Sequence, residues 1–253
     1  NVPIGEQRRF ATVDLQLADL KRVRAMLGGT VNDVVLAVVT GALRSWLLAR
    51  GEGVSQGDVL KALLPISVAV SSATSGEAGG NRVSATLVEL PVGEPDPAVR
   101  LQQISFQLAQ LEEGGHFVGA DAIVNIAGFG PPTLHALGAR VGSTLSSKVY
   151  NLVITNVPGP QRPLYAAGSR MLSAYPVVPL TRNQALSIGL ISYDGGVYFG
   201  LYADRDALPD LHILVACLEE SAEELIMRCE QSRRTLRAVP TKSEPPKKSR
   251  AGS

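Results

Sequence analysis

Cysteine is nearly absent from this chain, with two in 253 residues. Cys217 and Cys229 fall in one helical pattern, roughly 18 Å apart along its axis at 1.5 Å per residue. That separation excludes a disulfide between them, and they read as free thiols in a reducing compartment. Long hydrophobic runs are missing too. The longest, Val34 to Val39, is bounded by Asp33 and Thr40, far short of the roughly 20 apolar residues of a membrane span. No secretory leader opens the chain. Neither sign of charge is in excess: the net charge is +1, so no broad basic surface argues for nucleic acid. Histidine is scarce, with His116, His135 and His212 widely separated. None has a second histidine at i+3 or i+4, and no carboxylate follows at metal-ligand spacing, so no metal centre is implied. Each reads as a surface or packing residue. A G-x-S-x-G elbow and a GxxxxGK[ST] loop are both absent. Gly128, Gly130 and Pro131 belong to a loop and not to a phosphate cradle, and Ser67, Ser84 and Thr155 have no base near them in sequence.

What is present is an alternation of strand and helix signals in a chain 45% hydrophobic and 19% charged, ordinary globular values at a length that suits one large domain or two small ones. Arg9 to Leu17 alternates apolar and polar residues as a half-buried strand does, and Ala18 to Leu27 has helical spacing up to Gly28-Gly29. Thr30 to Arg50 is the strongest helix. Thr30 or Asn32 can cap it, Asp33 suits its first turn, and its body is apolar on nearly every side, which predicts burial. Val59 to Val70 reads as a buried strand in which Pro65 suggests an edge or a bulge. A loop over 71–80 leads through Asn81-Arg82 to a strand from Val83 to Leu90. Pro95 and Pro97 open a helix over Ala98 to Leu111. Two further helices are expected at about Ala120 to Ile126 and Pro132 to Leu145, then strands at Arg170–Val178, Ala185–Tyr193 and Val197–Ala203. Asp194-Gly195-Gly196 is the hairpin signal between the last two. A final helix runs from Leu211 to about Arg237, with Asp210 its expected cap. Residues 1–240 are therefore expected to form one α/β domain with a mixed sheet flanked by helices, and the polar tail 241–253 is expected to be disordered.

The stretch Val149 to Pro163, VYNLVITNVPGPQRP, stands apart. Tyr150 to Ile154 has the profile of a buried strand that stops at Thr155-Asn156. Pro158, Gly159, Pro160 and Pro163 follow. Prolines fix φ and remove donors, and Gly159 between two of them can take a φ that other residues resist. A buried strand thus ends in a stiff loop with a hydroxyl and an amide at its exit. Such a loop holds its shape without many contacts, as the wall of a site does. From the spacing alone, a plain strand-to-loop corner is the favoured reading.

Four segments in order carry a family resemblance: TVNDVVLA (Thr30 to Ala37), Gly80-Asn81 with Leu90-Pro91, ITNVPGP (Ile154 to Pro160) and YDGGVYFGLYADRDALPD (Tyr193 to Asp210). Together they resemble the C-terminal half of the bacterial wax ester synthase/acyl-CoA:diacylglycerol acyltransferase family. The resemblance implies a chloramphenicol-acetyltransferase-like half, one of two related α/β halves with a tunnel between them. It also implies that the catalytic HHxxxDG motif lies in the N-terminal half. This sequence has no His-His pair, so the general base is expected on a preceding segment, and a start at Asn1 rather than Met fits a processed product or a piece of a longer chain. The family's arginine after its Pro-x-Ser-x strand is not matched: Pro65-Ile66-Ser67-Val68 is followed by Ala69.

The implied reaction has a histidine of the partner half deprotonate an alcohol that attacks an acyl-CoA thioester, with acyl-CoA as substrate and no cofactor. The implied acceptors are diacylglycerol, giving triacylglycerol, or a long-chain alcohol, giving a wax ester. Thr155 and Asn156 are candidates for stabilising the oxyanion or positioning substrate, with Pro158, Gly159 and Pro160 lining the site. Asn32 and Asp33 either cap the buried helix or hydrogen-bond across the halves, and with Gly80 and Asn81 they form a scaffold motif. Expected partners are the N-terminal half and a membrane or lipid-inclusion surface reached from the cytoplasm. Two alternatives differ in kind: a non-catalytic half-domain that binds a partner, and half of a condensation-type or polyketide-linked acyltransferase, against which the NVPGP run argues.

Overall fold

One helix sits at the centre of the packing. The computed structural model describes residues 1–68, 82–114 and 149–238. Among these, the helices are α1 (Leu17–Leu27), α2 (Val31–Ala49), α3 (Pro97–Gly114) and α4 (Leu211–Ala238). The strands are β1 (Arg8–Gln16), β2 (Leu60–Val68), β3 (Arg82–Leu90), β4 (Leu152–Pro158), β5 (Tyr165–Ala166), β6 (Ser169–Arg170), β7 (Leu186–Tyr193) and β8 (Gly196–Asp204). Every residue of α2 from Asp33 to Leu43 is buried, because α1, α3 and α4 all pack on it. By length and composition alone α2 would pass for a membrane span; its burial among the other helices accounts for that apolarity instead. At Gly41 the helices come so close that a Cβ would lie 2.1 Å from Arg100 Nη1 and 2.2 Å from Ser221 Oγ.

The start of α2 is fixed by a reciprocal cap. Thr30 Oγ1 accepts from the Asp33 N–H at 3.2 Å, and the Asp33 carboxylate accepts from the Thr30 N–H at 2.9 Å and its hydroxyl at 2.6 Å. Thr30 is therefore the cap, and Asn32 takes no part in it. At the start of α4 the expected cap has another use. The Asp210 carboxylate accepts from Trp46 Nε1 at 3.0 Å and from Arg50 at 3.1 Å, so it ties α4 to the end of α2. Asp96, between the two prolines, caps α3 by accepting from the N–H groups of Ala98 and Val99 at 2.8 and 3.2 Å.

The sheet is mixed, with strand order β1-β8-β7-β4-β2-β3. β1/β8, β7/β8 and β2/β3 pair antiparallel, while β2/β4 and β4/β7 pair parallel. The β7–β8 turn has positive φ at Asp194 and Gly195, as the Asp-Gly signal requires. The helices cover one face, over a core that includes Leu64, Val88, Ile154, Ile188 and Phe199. A smaller cluster of Leu63, Ala85, Tyr150 and Val153 lies on the other face.

Two strand expectations change. Of the strand expected at Arg170–Val178, only Arg170 pairs: with Ser169 it forms a two-residue strand against Tyr165–Ala166 in a separate ribbon. The residues that follow cross the open face of the sheet, because Pro176 and Pro179 cannot donate to a ladder. Their path needs the facing glycines Gly189 and Gly200: a Cβ on Gly200 would fall 2.0 Å from the Pro176 carbonyl oxygen. The Pro65 strand is interior and not an edge. β2 nevertheless pairs with β4 only at Ala62↔Leu152 and Leu63↔Val153, so Pro65 lies where the strand has a ladder on one side alone. The loop at 71–80, the helices expected near 120–126 and 132–145, and the tail lie outside the described residues.

Asp204, at the end of β8, is 1% exposed. Burial alone would raise its pKa. The N–H groups of Ala207, Gly5 and Asp206, at 2.8–3.1 Å, and the Arg8 guanidinium at 3.2 Å outweigh burial and hold it below the ordinary carboxylate value. Such a group stabilises the fold above its unfolded pKa of about 4 and loses that contribution as pH falls through the lower folded value. Asp204→Asn is expected to lower the melting temperature at pH 7 and to flatten its decline below about pH 4. Thermal melts across pH 2–7 check this, and an unchanged acid limb would assign that limb to other carboxylates.

Candidate functional site

Beyond Leu63 and Val153 the strands β2 and β4 part: β2 continues on β3 and β4 continues on β7. The gap opens a groove of about 930 Å³ on the helix side of the sheet, within the usual range for small-molecule sites. Its walls are Val31, Val35 and Leu36 of α2, Leu108 and Leu111 of α3, and Leu64, Ile154 and Leu190 of the sheet. Polar groups gather where β4 leaves the sheet: Asn32 and Asp33 from the first turn of α2, Thr155 and Asn156 from β4, and Gln161 and Ser192 beyond them.

The β4 exit differs from its sequence reading. The strand does not stop at Thr155-Asn156 but stays in parallel register with β7 as far as Pro158↔Ser192. Ile154 is buried, Thr155 half-buried and Asn156 exposed. Asn156 Nδ2 donates to Asn32 Oδ1 at 2.9 Å. The two readings of the Asn-Asp pair thus divide between the residues: Asp33 caps, and Asn32 bridges α2 to β4 within this chain. An amide has two donors and an acceptor, so Asn156 keeps an N–H and a carbonyl beyond its bond to Asn32.

The loop after β4 does not hold itself. The Gly159 N–H donates to Ser192 Oγ at 3.3 Å, and Gln161 Nε2 donates to the Gly159 carbonyl at 3.0 Å and to Ser192 Oγ at 3.2 Å. Gln161 Oε1 accepts from the Gly195 N–H at 3.2 Å, and the Pro160 carbonyl accepts from the Asp194 N–H at 3.2 Å. The β7–β8 hairpin therefore holds the loop in place. Gly159 is not among the residues with positive φ. It is needed because a Cβ there would lie 2.3 Å from the Ser192 carbonyl oxygen. Gly159→Ala is expected to push the loop outward by roughly an ångström, a displacement that can cost up to about 100-fold when it moves a positioned group. We expect at least a tenfold loss of kcat/KM for a reaction carried out in the groove, with kinetics as the check; unchanged kinetics would remove the loop from the site.

The groove brings together Asn32, Asp33, Thr155, Asn156, Pro158 and Gly159. Pro160, expected to line the site, is not among the residues that line the groove; its carbonyl is turned to the hairpin, accepting from the Asp194 N–H. Gly80, Asn81, His116 and His135 lie outside the described residues. His212 is exposed on α4, where it lines a separate hollow of about 360 Å³ with Arg9 and Phe10. Sequence reasoning missed Ser192, Gln161 and Thr86. Ser192 closes a strand, Gln161 sits among prolines, and Thr86 alternates with apolar residues; none carries a local signal.

Two family models match the sequence: the WS/DGAT C-terminal domain over residues 79–226, and the wax ester synthase/diacylglycerol acyltransferase catalytic domain over residues 1–35. A Mycobacterium tuberculosis protein named probable diacylglycerol O-acyltransferase is 34% identical over 226 residues, which are 89% of this chain and 48% of that protein. A Mycobacterium bovis protein also named as a diacylglycerol O-acyltransferase is 37% identical over 237 residues, 89% of this chain and 49% of its own length. Among solved structures, the wax ester synthase/diacylglycerol acyltransferase from Marinobacter aquaeolei VT8 superposes with a TM-score of 0.71 at 28% identity, covering 91% of this chain and 51% of that one. The epimerization domain of tyrocidine synthetase B shares the fold, with a TM-score of 0.54 at 13% identity over 92% of this chain and 51% of that one. The chain spans about half the length of the curated relatives it matches.

Proposed function

This chain belongs to the wax ester synthase/diacylglycerol acyltransferase family, and we propose that it supplies the C-terminal half of an O-acyltransferase acting on long-chain acyl-CoA. In the proposed step an alcohol oxygen attacks the thioester carbonyl. A C–O bond forms and the C–S bond breaks; the alcohol proton passes to a histidine of the HHxxxDG motif on a preceding segment, which returns it to the departing sulfur, so that CoA leaves as its thiol. The acceptor is diacylglycerol or a long-chain alcohol.

The observation that carries this reading is the groove itself, apolar along its walls and amide-lined where β4 leaves the sheet. Apolar walls suit acyl and alkyl chains. The Asn156 amide and the first turn of α2, with its positive dipole end, supply fixed donors for the oxygen that gains charge. Acyl-CoA enters as substrate, and the step calls for no further cofactor. Substrates this greasy place the enzyme at a membrane or lipid-inclusion surface on the cytoplasmic side, which flotation with lipid vesicles tests. The activity is tested with the full-length enzyme, palmitoyl-CoA, and either diacylglycerol or hexadecanol. Ester product with CoA release is the expected result, and release of CoA by hydrolysis alone would overturn the reading.

A further inference from the structure

The inner arm of the groove holds one polar group that the fold does not use. Thr86 on β3 is 2% exposed, lines the groove, and its hydroxyl has no hydrogen-bond partner among the described residues. Its register partner on β2 is Leu64, which lines the same groove and belongs to the helix-side core. Thr86 alternates along β3 with Val88 and Leu90 of that core, and Leu108 and Leu111 of α3 complete the arm. A buried hydroxyl without a partner is destabilising, and native folds rarely keep one without a reason.

Resting on the acyl-transfer reading, we infer that Thr86 selects the acceptor: its hydroxyl donates to an ester carbonyl of an acylglycerol lying in this arm. The chemistry of the three candidate substrates decides which of them fits. The acyl chain of acyl-CoA and the chain of a fatty alcohol are hydrocarbon behind the reacting end and offer a buried donor nothing, whereas a bond to the pantetheine amides of CoA would serve every acceptor alike and select none. A diacylglycerol carries two ester groups set back from its free hydroxyl. β3 stands two strand positions from β4, about 10 Å at the usual strand spacing, and by register Asn156 lies two residues further along the sheet than Thr86, about 7 Å more along the strands. The two offsets combine to about 12 Å between backbones, which the two side chains and a glycerol backbone together span from an alcohol held at Asn156 to a carbonyl hydrogen-bonded at Thr86. A site built to pair a polar group discriminates strongly against an analogue lacking it.

The test uses the full-length enzyme with palmitoyl-CoA and two acceptors: a 1,2-diacylglycerol, and its 1,2-dialkyl ether analogue, which keeps the hydroxyl and chains but has no carbonyls. The unaltered enzyme should prefer the diacyl acceptor by about tenfold in kcat/KM. Thr86→Val should abolish that preference by slowing the diacyl reaction alone, and Thr86→Ser should restore most of it. The melting temperature of Thr86→Val should stay level or rise, since an unpaired buried hydroxyl is replaced by a methyl of the same shape. A preference that survives Thr86→Val, a parallel loss on both acceptors, or use of fatty alcohols but neither glycerolipid would overturn the assignment of Thr86. An enzyme that acylates no alcohol at all would instead overturn the acyl-transfer reading on which it rests.

Discussion

Replacing Asn156 by alanine in the full-length enzyme is expected to lower kcat by about 100-fold while the melting temperature falls by no more than a few degrees. The two numbers come from different parts of the structure. Asn156 is exposed at the end of β4, and its bond to Asn32 is a 2.9 Å contact at the groove. A hydrogen bond of this kind contributes about 1 kcal/mol net to stability, which in a chain of this size corresponds to roughly 2–4 °C. In the proposed step the same amide, fixed by Asn32, faces the oxygen that gains charge and is worth far more to the reaction, because removing one preorganised donor costs about 10²–10³ in kcat.

The partner residue supplies the control. Asn32→Ala leaves the Asn156 amide in place without its anchor, so its effect should be smaller, about tenfold. If Asn32 acts through Asn156, adding Asn32→Ala to Asn156→Ala should cost little more. Activity and melting temperature falling in proportion in both variants would make the pair a strut between α2 and β4 and nothing else.

That this pair exists could not be read from the chain. Asn32 and Asn156 are 124 residues apart, and each has a sufficient local explanation: one opens a helix and the other ends a strand. Local chemistry narrows the cap to Thr30 or Asn32 and puts Asp33 in the first turn; the structure makes it Thr30, paired reciprocally with Asp33. Local chemistry also gave the buried helix, because a helix with Val34, Val35, Leu36, Val38 and Val39 in succession has no face left for water. The strands β1, β7 and β8 were legible for the same reason, as was the Asp-Gly turn.

What sequence could not supply were the events set by distant strands. β4 runs on through Thr155 and Asn156 because β7 lies alongside to pair with it, although those residues alone read as a strand end. The apolar run after Arg170 leaves the ladder because of its prolines and lies across two glycines that face each other from β7 and β8. Gly159 between two prolines suggests a φ that other residues resist, but the neighbouring Ser192 carbonyl is what excludes a side chain. The groove follows from β2 and β4 sharing only two register pairs, a fact about two strands some ninety residues apart. The family resemblance reached the site where the physics of the single chain stopped, since it rests on segments that only the fold brings together.

The second large effect concerns the chain by itself. Residues 1–253 purified alone are expected to give no ester from palmitoyl-CoA and diacylglycerol or hexadecanol above the uncatalysed rate. The reason is the supply of bases. A general base is worth about 10²–10⁴-fold and must reach the alcohol proton. His212 is exposed beside Arg9 and Phe10 in another hollow. Two carboxylates line the groove: Asp33 is already held by the Thr30 N–H and hydroxyl at the helix cap, and Glu112 is exposed in the last turn of α3. The sequence contains no adjacent histidines, whereas the family resemblance assigns the base to a His-His motif on a preceding segment. Supplying that segment, fused or co-expressed, should restore turnover, and the same segment with its second histidine changed to alanine should not. A groove about 930 Å³ in volume with apolar walls would then be one side of a tunnel completed by that segment. Turnover by the isolated chain would place the base within it, at Asp33, at Glu112 or at one of His116, His135 and His212, and single alanine variants at those five positions would identify which.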